Sequence, residues 1–598
     1  MPIGQPFELP CGLKLSNRIV KAAMEESLGT VDNQPNEYIY RLYERWAKGS
    51  FGLLLTGNVQ VDERYPGLMT DLMVPSKEKI DIEKWKRYAN VCQSYGTPTI
   101  VQINHAGRQS PMGKRPFRQP AIAPSPIPMT IGDNILAKML QSLIIGTPEE
   151  MTQSQIDEAV QKFVNAAEIM FQAGFAGVEI HASHGYLISS FLSPKTNKRR
   201  DEYGATPKDR MRFLFQIIDG IRAVVPQSFA VGVKLNSADF STGGLTEDEA
   251  QDQIRWIDEH GSIDFIEISG GTYEAPVMMG TEDQSRSERT RKREAYFIEF
   301  AAKVRRTTSV PLLVTGGFRT RQAMNDAILS NACDLVGIGR PTCLQFNLPE
   351  LLLDRNITDE DARAIRYDIR GTKIFNLLPI TGVGSGIGTL WHNWQMHRVA
   401  IENREPDPTL TNGSLYVVDN EKHEVRRYRI GDTKGTVVAG GNGQGNRLNQ
   451  LSQPHYVFVD RDHSVYVSDW ENHRVMKWEE GAKQGIVVAG GQGHGNSLTQ
   501  LNEPEGVVVD QLGTVYVADS GNHRIMRWPK EATQGSVIVG GNGKGAQSNQ
   551  LYEPVGLSFD RYANLYVVDI NNNRVQKLIL NKLNAVINFI FLFSFSYK

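Results

Sequence analysis

The segment VEIHASHGYL concentrates more chemistry than any other stretch of the chain: His181 and His184 stand three residues apart, and Tyr186 follows two residues later. An H-x-x-H pair suits a metal, but no nearby carboxylate or third ligand completes a set. Two imidazoles aimed at one point suit another task, holding a carbonyl or other oxygen that gains negative charge. A tyrosine beside them, with a reference pKa of about 10, is protonated near neutrality and can donate a proton. A second pattern lies further on, where Gly316-Gly317 and Gly339-Arg340 each follow a short apolar run. Glycines let backbone N–H groups approach a phosphate, and arginine supplies a bidentate partner. Either glycine motif alone reads as a turn. Both together, at the ends of the last two strands of a barrel, read as a phosphate cradle.

These residues need elements to position them. Eight β-branched runs recur through the first 400 residues: Ile19–Met24, Gly52–Val59, Thr99–His105, Gly177–Ser183, Phe229–Asn236, Phe265–Gly271, Leu312–Gly317 and Leu335–Arg340. Continuous apolar runs suit parallel strands covered on both faces. Helical stretches with readable starts lie between them. Thr152-Gln-Ser-Gln155 is a capping-box pattern with Met151 and Ile156 as its hydrophobic staple, and Ile156, Val160, Phe163, Ala167, Met170 and Phe171 make one apolar stripe. Thr206-Pro207 and Thr246-Glu-Asp-Glu249 open two more helices by the same chemistry. This alternation predicts an α/β fold, a (β/α)8 TIM barrel, with His181, His184 and Tyr186 at the C-terminal end of its fourth strand. A doubly wound sheet is the alternative, but the G-x-G-x-x-G expected after its first strand is missing. The long proline-rich connection from Ala106 to Glu150 follows the third strand, where ordered loops usually cover an active site.

Composition bounds the rest. The chain has 598 residues, 65 Lys+Arg against 67 Asp+Glu, so its net charge of −2 argues against general nucleic-acid binding. A hydrophobic content of 40% with 22% charged residues argues against disorder as the main state. Four scattered cysteines, Cys11, Cys92, Cys333 and Cys343, make neither a disulfide scaffold nor a metal-ligand spacing, which fits a reducing, cytoplasmic compartment and predicts no metal site. No secretory signal is visible at the N-terminus. The apolar segment AVINFIFLFSFSYK from Ala585 is shorter than a bilayer-spanning helix and reads as a terminal strand or tail, within a tail assigned to residues 581–598.

After Pro408 the sequence becomes a repeat. QLSQPHYVFVDRDHSVYVSDWENHRVMKW begins at Gln450, and similar units begin at Gln500 and Gln550. An incomplete copy begins at Leu415. A 50-residue period of short β runs separated by Gly/Asn turns predicts propeller blades, about four of them over residues 409–580. One aspartate per unit (Asp419, Asp469, Asp519, Asp569) reads as structural turn capping rather than a metal ring.

The motifs LSNRIVKAAM, VQINHAGRQ, FAGVEIHASHGYLISSFLSPKTNKRRDEYG, GVKLNSADF, LLVTGGF and VGIGRP, in this order over residues 1–405, resemble the Old Yellow Enzyme family of FMN-dependent NADH:flavin oxidoreductases. The pattern YVxDxxNHRVxxW with GxVVAGGNGxG resembles the NHL repeat. The first resemblance implies FMN at the barrel mouth and hydride transfer from NAD(P)H through the flavin to an activated alkene, such as an α,β-unsaturated carbonyl, or another acceptor such as a quinone. It implies that Ala23, Met24 and Glu25 line the flavin and that Gly57 lies beneath it. Gln102 would meet its pyrimidine edge, with Lys234, where many relatives have arginine, near N1 and the C2 oxygen. Gly316, Gly317, Gly339 and Arg340 would hold the phosphate, His181 and His184 the substrate oxygen, and Tyr186 would donate the proton. Glu25 departs from the Thr, Ser or Cys of relatives and would place an anion beside the flavin unless it is protonated or turned away. Ala205 and Ala176 depart elsewhere from the family pattern, away from the chemistry. The four-cysteine cluster and second dinucleotide domain of the larger dienoyl-thioester reductases are missing, so NAD(P)H should donate at the same mouth. The repeats would then be an interaction module, open to a protein partner. The alternative is a catalytically weakened flavoprotein scaffold or sensor acting through its propeller.

Overall fold

The computed structural model describes the chain except for residues 31, 68–69, 77, 112–114, 116–118, 131–145, 270–297, 360, 366–382, 407–414, 429–433, 461, 511, 560–563 and 580–598, together with the side chains of 383–390, 415 and 579. It divides into two compact units, Met1–Leu410 and Thr411–Lys598.

In the first unit the eight apolar runs form eight parallel strands: β1 (Ile19–Lys21), β2 (Leu53–Leu55), β3 (Thr99–Asn104), β4 (Gly177–Ala182), β5 (Ala230–Asn236), β6 (Phe265–Ser269), β7 (Leu312–Thr315) and β8 (Leu335–Ile338). Each pairs with its sequence neighbour, and β8 pairs with β1 through Val336–Ile19 and Ile338–Lys21, closing the barrel. That closure excludes the doubly wound sheet. Residues 270 and 271, the end of the sixth run, lie outside the described residues.

The period of two along the strands separates two cores. Ile19, Leu54, Val101, Ile103, Val178, Ile180, Val231, Val233, Ile266, Ile268, Val314 and Val336 point outward to the helices. Val20, Leu53, Leu55, Ile100, Ala230, Phe265, Leu313 and Leu335 point inward and meet Leu9 and Leu15 of an N-terminal hairpin, Phe7–Glu8 with Lys14–Leu15. Each fully buried side chain of this kind contributes roughly 1.5–3 kcal/mol. Higher up, the inward positions turn polar: Gln102, Glu179, His181, Lys234 and Glu267 are all buried.

The helix starts follow their caps. Thr152 and Thr246 form full capping boxes with Gln155 and Glu249 at the heads of helices Gln153–Ala173 and Glu247–His260, and Met151 and Ile156 are both buried. The apolar stripe is narrower than its sequence suggests. Phe171 is 41% exposed, with its ring edge-on to Phe229 at 5.6 Å, because that position has rotated toward solvent at the helix end. Thr206 first caps a 3-10 turn, Asp209–Met211, that runs into helix Arg212–Val224. In the long connection, Ile122–Ala123 pairs with Glu149–Glu150, and most of the intervening chain lies outside the described residues.

Among its described residues the second unit contains four antiparallel sheets of three, four, four and three strands, the arrangement of propeller blades. In three of the repeats the aspartate is a hub. Asp519 accepts from the Asn502 N–H (2.7 Å), Asn522 Nδ2 (2.9 Å) and Arg524 Nε (2.6 Å). Asn522 and Arg524 in turn donate to carbonyls of Gly495, Asn496, Ser497 and Gln500 in the preceding glycine loop. The same set recurs at Asp469 and Asp569. In the first sheet Lys422 and Glu424 take the Asn and Arg positions, and Asp419 binds Lys422 instead. Among the described residues, no helix is long and apolar enough to cross a membrane, and no group of three or more His, Cys, Asp or Glu is placed to hold a metal ion. The apolar segment from Ala585 lies outside the described residues.

Candidate active site

The strands deliver their polar residues to the C-terminal end of the barrel. His181 ends β4, and His184 follows in the left-handed region (φ 62°), a conformation that costs a β-carbon residue energy and must be held by its surroundings. Asn236 Oδ1 accepts from the His184 N–H at 3.2 Å, and Gln109 Nε2 donates to its carbonyl at 2.8 Å. Three rings therefore meet. His181 and His184 lie 5.1 Å apart and Tyr186 lies 4.8 Å from His181, each pair close to edge-on.

His181 Nδ1 accepts from the Ser183 N–H at 3.3 Å, which leaves the ring proton on Nε2. His184 Nε2 lies 2.9 Å from Ser269 Oγ, so this imidazole is oriented from β6. Burial, then Lys234 (and for His181 first the neighbouring His184), holds both rings well below the ordinary histidine range, and both are neutral donors at physiological pH. The Tyr186 hydroxyl accepts from Asn58 Nδ2 at 3.2 Å. Asn58, Ser269 and Asn236 were not singled out from sequence. Each follows or ends an apolar strand, and only the barrel's strand order brings Asn58 to Tyr186 and Ser269 and Asn236 to His184.

Beyond β1, Ala23, Met24 and Glu25 are half-buried at the mouth. Gly57, just past β2, lies directly behind them. A Cβ there would sit 2.1 Å from both the Met24 carbonyl and a Glu26 carboxylate oxygen, so only glycine permits the approach. The Gly57 N–H donates to Glu26 Oε1 (3.0 Å), which also accepts from the Tyr43 hydroxyl and lies 3.6 Å from Lys21 Nζ. Lys21, on the outer face, donates to the Leu55 carbonyl (2.9 Å) and lies 4.2 Å over the Trp46 ring. This buried set anchors the Met24–Glu26 segment.

Glu25 lies near the Asp71 carboxyl. Burial, then Asp71 and Glu26, pushes its carboxyl well above the usual range. The shift favours the neutral form of the carboxyl, the protonated case that the sequence left open beside the anionic one.

On the neighbouring strands beyond β1, Gly316 (φ 124°) and Gly317 (φ 85°) hold backbone geometry that favours glycine, and both are half-buried at the end of β7. Gly339 and Arg340 open the short 3-10 turn after β8, and a Cβ at Gly339 would meet nothing nearer than Met24 at 3.9 Å. Glycine backbone at the end of β7, open space beside Gly339 at the end of β8 and Arg340 next in sequence are residue types that fit a phosphate. Gln102 and Lys234 face inward below this rim.

A closed parallel barrel with this rim defines a flavin-dependent oxidoreductase: residues 2–356 match the NADH:flavin oxidoreductase / NADH oxidase family, and the chain belongs to it. Residues 501–527 match the NHL repeat. Over 385 residues the chain is 41% identical to the NADH-dependent flavin oxidoreductase iliE of Hypocrea jecorina, covering 63% of this chain and 96% of that one. It is 30% identical over 330 residues to an NADPH dehydrogenase of a Geobacillus species, 55% of this chain and 87% of the relative. A solved structure of 2-naphthoyl-CoA reductase with 2-naphthoyl-CoA superposes with a TM-score of 0.53 at 22% identity, over 61% of this chain and 53% of that one, a likeness of fold. The reductant of the reaction is NADH or NADPH.

Proposed function

We propose that the barrel unit binds FMN and reduces activated alkenes, with a quinone as an alternative acceptor. The observation that carries this reading is the meeting of His181, His184 and Tyr186 at one end of the barrel, two neutral imidazole donors beside a phenol. Bound FMN would supply the relay of a hydride between nicotinamide and acceptor. Gly316, Gly317, Gly339 and Arg340 would hold its phosphate. Ala23, Met24 and Glu25 would line its ring, over Gly57. Gln102 and Lys234 would meet the pyrimidine edge, where a cation favours negative charge in a poorly solvated site.

Toward the substrate, His181 and His184 would donate to the carbonyl oxygen, drawing electron density away from the double bond. The Tyr186 hydroxyl, oriented by Asn58, would then give its proton to the carbon next to the carbonyl. The second unit carries an interaction role in this reading. Its aspartates are committed to Asn and Arg partners, which leaves its exposed loops for a protein partner. All four cysteines are free, which supports a reducing, cytoplasmic setting.

The test is the purified full chain. Released cofactor should be FMN, anaerobic NADH or NADPH should bleach the yellow colour, and an enone should restore it. A flavoprotein that NAD(P)H bleaches but no enone or quinone recolours would reduce the reading to the scaffold alternative.

A further inference from the structure

Two carboxyl groups lie inside the barrel where a dry, apolar core might be expected. Glu179 on β4 and Glu267 on β6 are both fully buried, on strands flanking β5. Lys234 on β5 stands between them, opposite Glu267 in register, with Nζ 2.9 Å from Glu267 Oε1. Glu179 Oε2 accepts from Gln102 Nε2 on β3. Beyond this, Glu179 Oε1 and both Glu267 oxygens lack hydrogen-bond donors, and the contact with Lys234 is an ion pair without hydrogen-bond alignment.

Buried acceptors without donors are costly if both groups are carboxylates, and a single cation at Glu267 Oε1 offsets only part of that cost. Both side chains enter the barrel from the strands that flank β5, on either side of Lys234, and burial together with the Glu267 carboxyl holds the Glu179 carboxyl well above the usual range. Buried carboxyl groups that share one poorly solvated site favour keeping a single proton between them, because ionising both would place like charges together away from water. One proton turns two orphaned acceptors into a donor–acceptor pair. It also leaves one negative charge against the one positive charge of Lys234, so the trio is neutral. The other titratable groups near it, His181 and His184, are kept neutral by burial, and Gln102 and Thr315 on the flanking strands carry no charge.

We propose that Glu179 and Glu267 share one proton and, with Lys234, form a charge-balancing site that takes a second proton from solvent when negative charge is placed at the mouth. With the pair doubly protonated, the Lys234 cation is released from Glu267 to face that new charge. No bond other than O–H forms in the pair, and the electrons come from NADH or NADPH. The second step rests on the proposed flavin site, and the shared proton does not.

Infrared spectroscopy of the purified protein at neutral pH tests the first step whether or not flavin is bound. A protonated-carboxyl carbonyl band sensitive to 2H2O should lose intensity in both Glu179→Gln and Glu267→Gln. A residual band that Glu25→Gln removes belongs to Glu25 and is subtracted. A wild-type protein without the band, or a band unchanged in both Glu179→Gln and Glu267→Gln, overturns the shared proton. The pH dependence of the flavin midpoint potential tests the second step, read alongside the reduced-flavin spectrum so that protonation of the flavin itself is counted separately. Wild type should take up one more proton per two electrons than Glu267→Gln. Equal uptake overturns the charge-balancing role while leaving the shared proton standing, and a chain that binds no flavin refutes the functional reading without touching the infrared result.

Discussion

Ser269 Oγ lies 2.9 Å from Nε2 of His184 and so fixes, from β6, a ring whose backbone sits at φ 62° on the far side of β5. The imidazole is preorganised rather than free to turn, and its partner His181 is fixed in the same way by Ser183. Preorganised donors are worth most where charge develops, and removing one typically costs about 10²–10³ in rate. Replacing both rings, His181→Ala with His184→Ala, should abolish binding of phenols that mimic the enolate. The readout is the long-wavelength charge-transfer band on adding a phenol to the oxidised protein. A band of wild-type strength in the double variant would remove both residues from oxygen binding.

Tyr186 stands in the same cluster with its hydroxyl accepting from Asn58 at 3.2 Å. Tyr186→Phe keeps the buried ring and its packing against His181 and loses only the proton donor. Flavin reduction by NAD(P)H should be nearly unchanged, while reoxidation by an enone should slow by about 10²–10⁴-fold. Stopped-flow traces of the two half-reactions separate the stages. Unchanged reoxidation by an enone would exclude Tyr186 as the donor.

Much of this site is legible in the sequence because the strands announce themselves. Apolar runs end where His181, Gly316 and Gly339 begin the rim, and capping boxes at Thr152 and Thr246 mark the helices between them. Two kinds of feature are not legible. Partners from neighbouring strands, such as Asn58 with Tyr186 or Ser269 with His184, depend on the order in which the barrel closes. Glu25 and Asp71 are 46 positions apart, and nothing local predicts that one carboxyl keeps the other protonated. The strand pattern carries one further signal: Gln102, Glu179, His181, Lys234 and Glu267 all occupy the inward phase of a period-two pattern. A polar residue in that phase of an otherwise apolar strand marks a side chain that needs a partner inside the barrel.

His105, at the end of β3, gives a prediction in pH. It is buried, its Nδ1 accepts from the Gly107 N–H, and its Nε2 finds no hydrogen bond, with the Asp62 carboxylate 4.0 Å away. Burial, only partly offset by Asp62, lowers its pKa from 6.5 to about 4. Between those values the unfolded chain binds a proton that the folded chain does not, so this histidine makes stability fall as pH drops through the window. The whole effect is about 3 kcal/mol, at about 1.4 kcal/mol per pH unit. Glu25 and Glu179, whose pKa values are raised, act in the opposite sense, and comparison with His105→Gln isolates the one residue. Urea denaturation of wild type and variant should show wild type losing more stability than the variant from pH 6.5 to 4. Parallel curves would mean that the folded protein accepts the proton.

The last prediction concerns the division at Leu410. All eight barrel strands, the pairing of β8 with β1, and every residue placed at the mouth precede that point. Two inner and outer hydrophobic cores of the barrel are also made within Met1–Leu410. The repeats build their own cores from neighbouring sheets, with Trp478 and Trp528 buried between strands and each aspartate hub tied to the adjacent glycine loop. Repeat units of this kind derive their stability from nearest neighbours. Residues 1–405 expressed alone should therefore fold, bind flavin at the same stoichiometry as the full chain, and turn over NAD(P)H with an acceptor at a rate within a few-fold of it. Conversely, Asp519→Ala removes a hub bonded to Asn502, Asn522 and Arg524 and leaves the buried Arg524 without its carboxylate. That should destabilise the repeats by about 3–5 kcal/mol while leaving the flavin content and turnover of the full chain unchanged. An isolated barrel that is insoluble or flavin-free, beside an active full chain, would show that the repeats complete the barrel's fold.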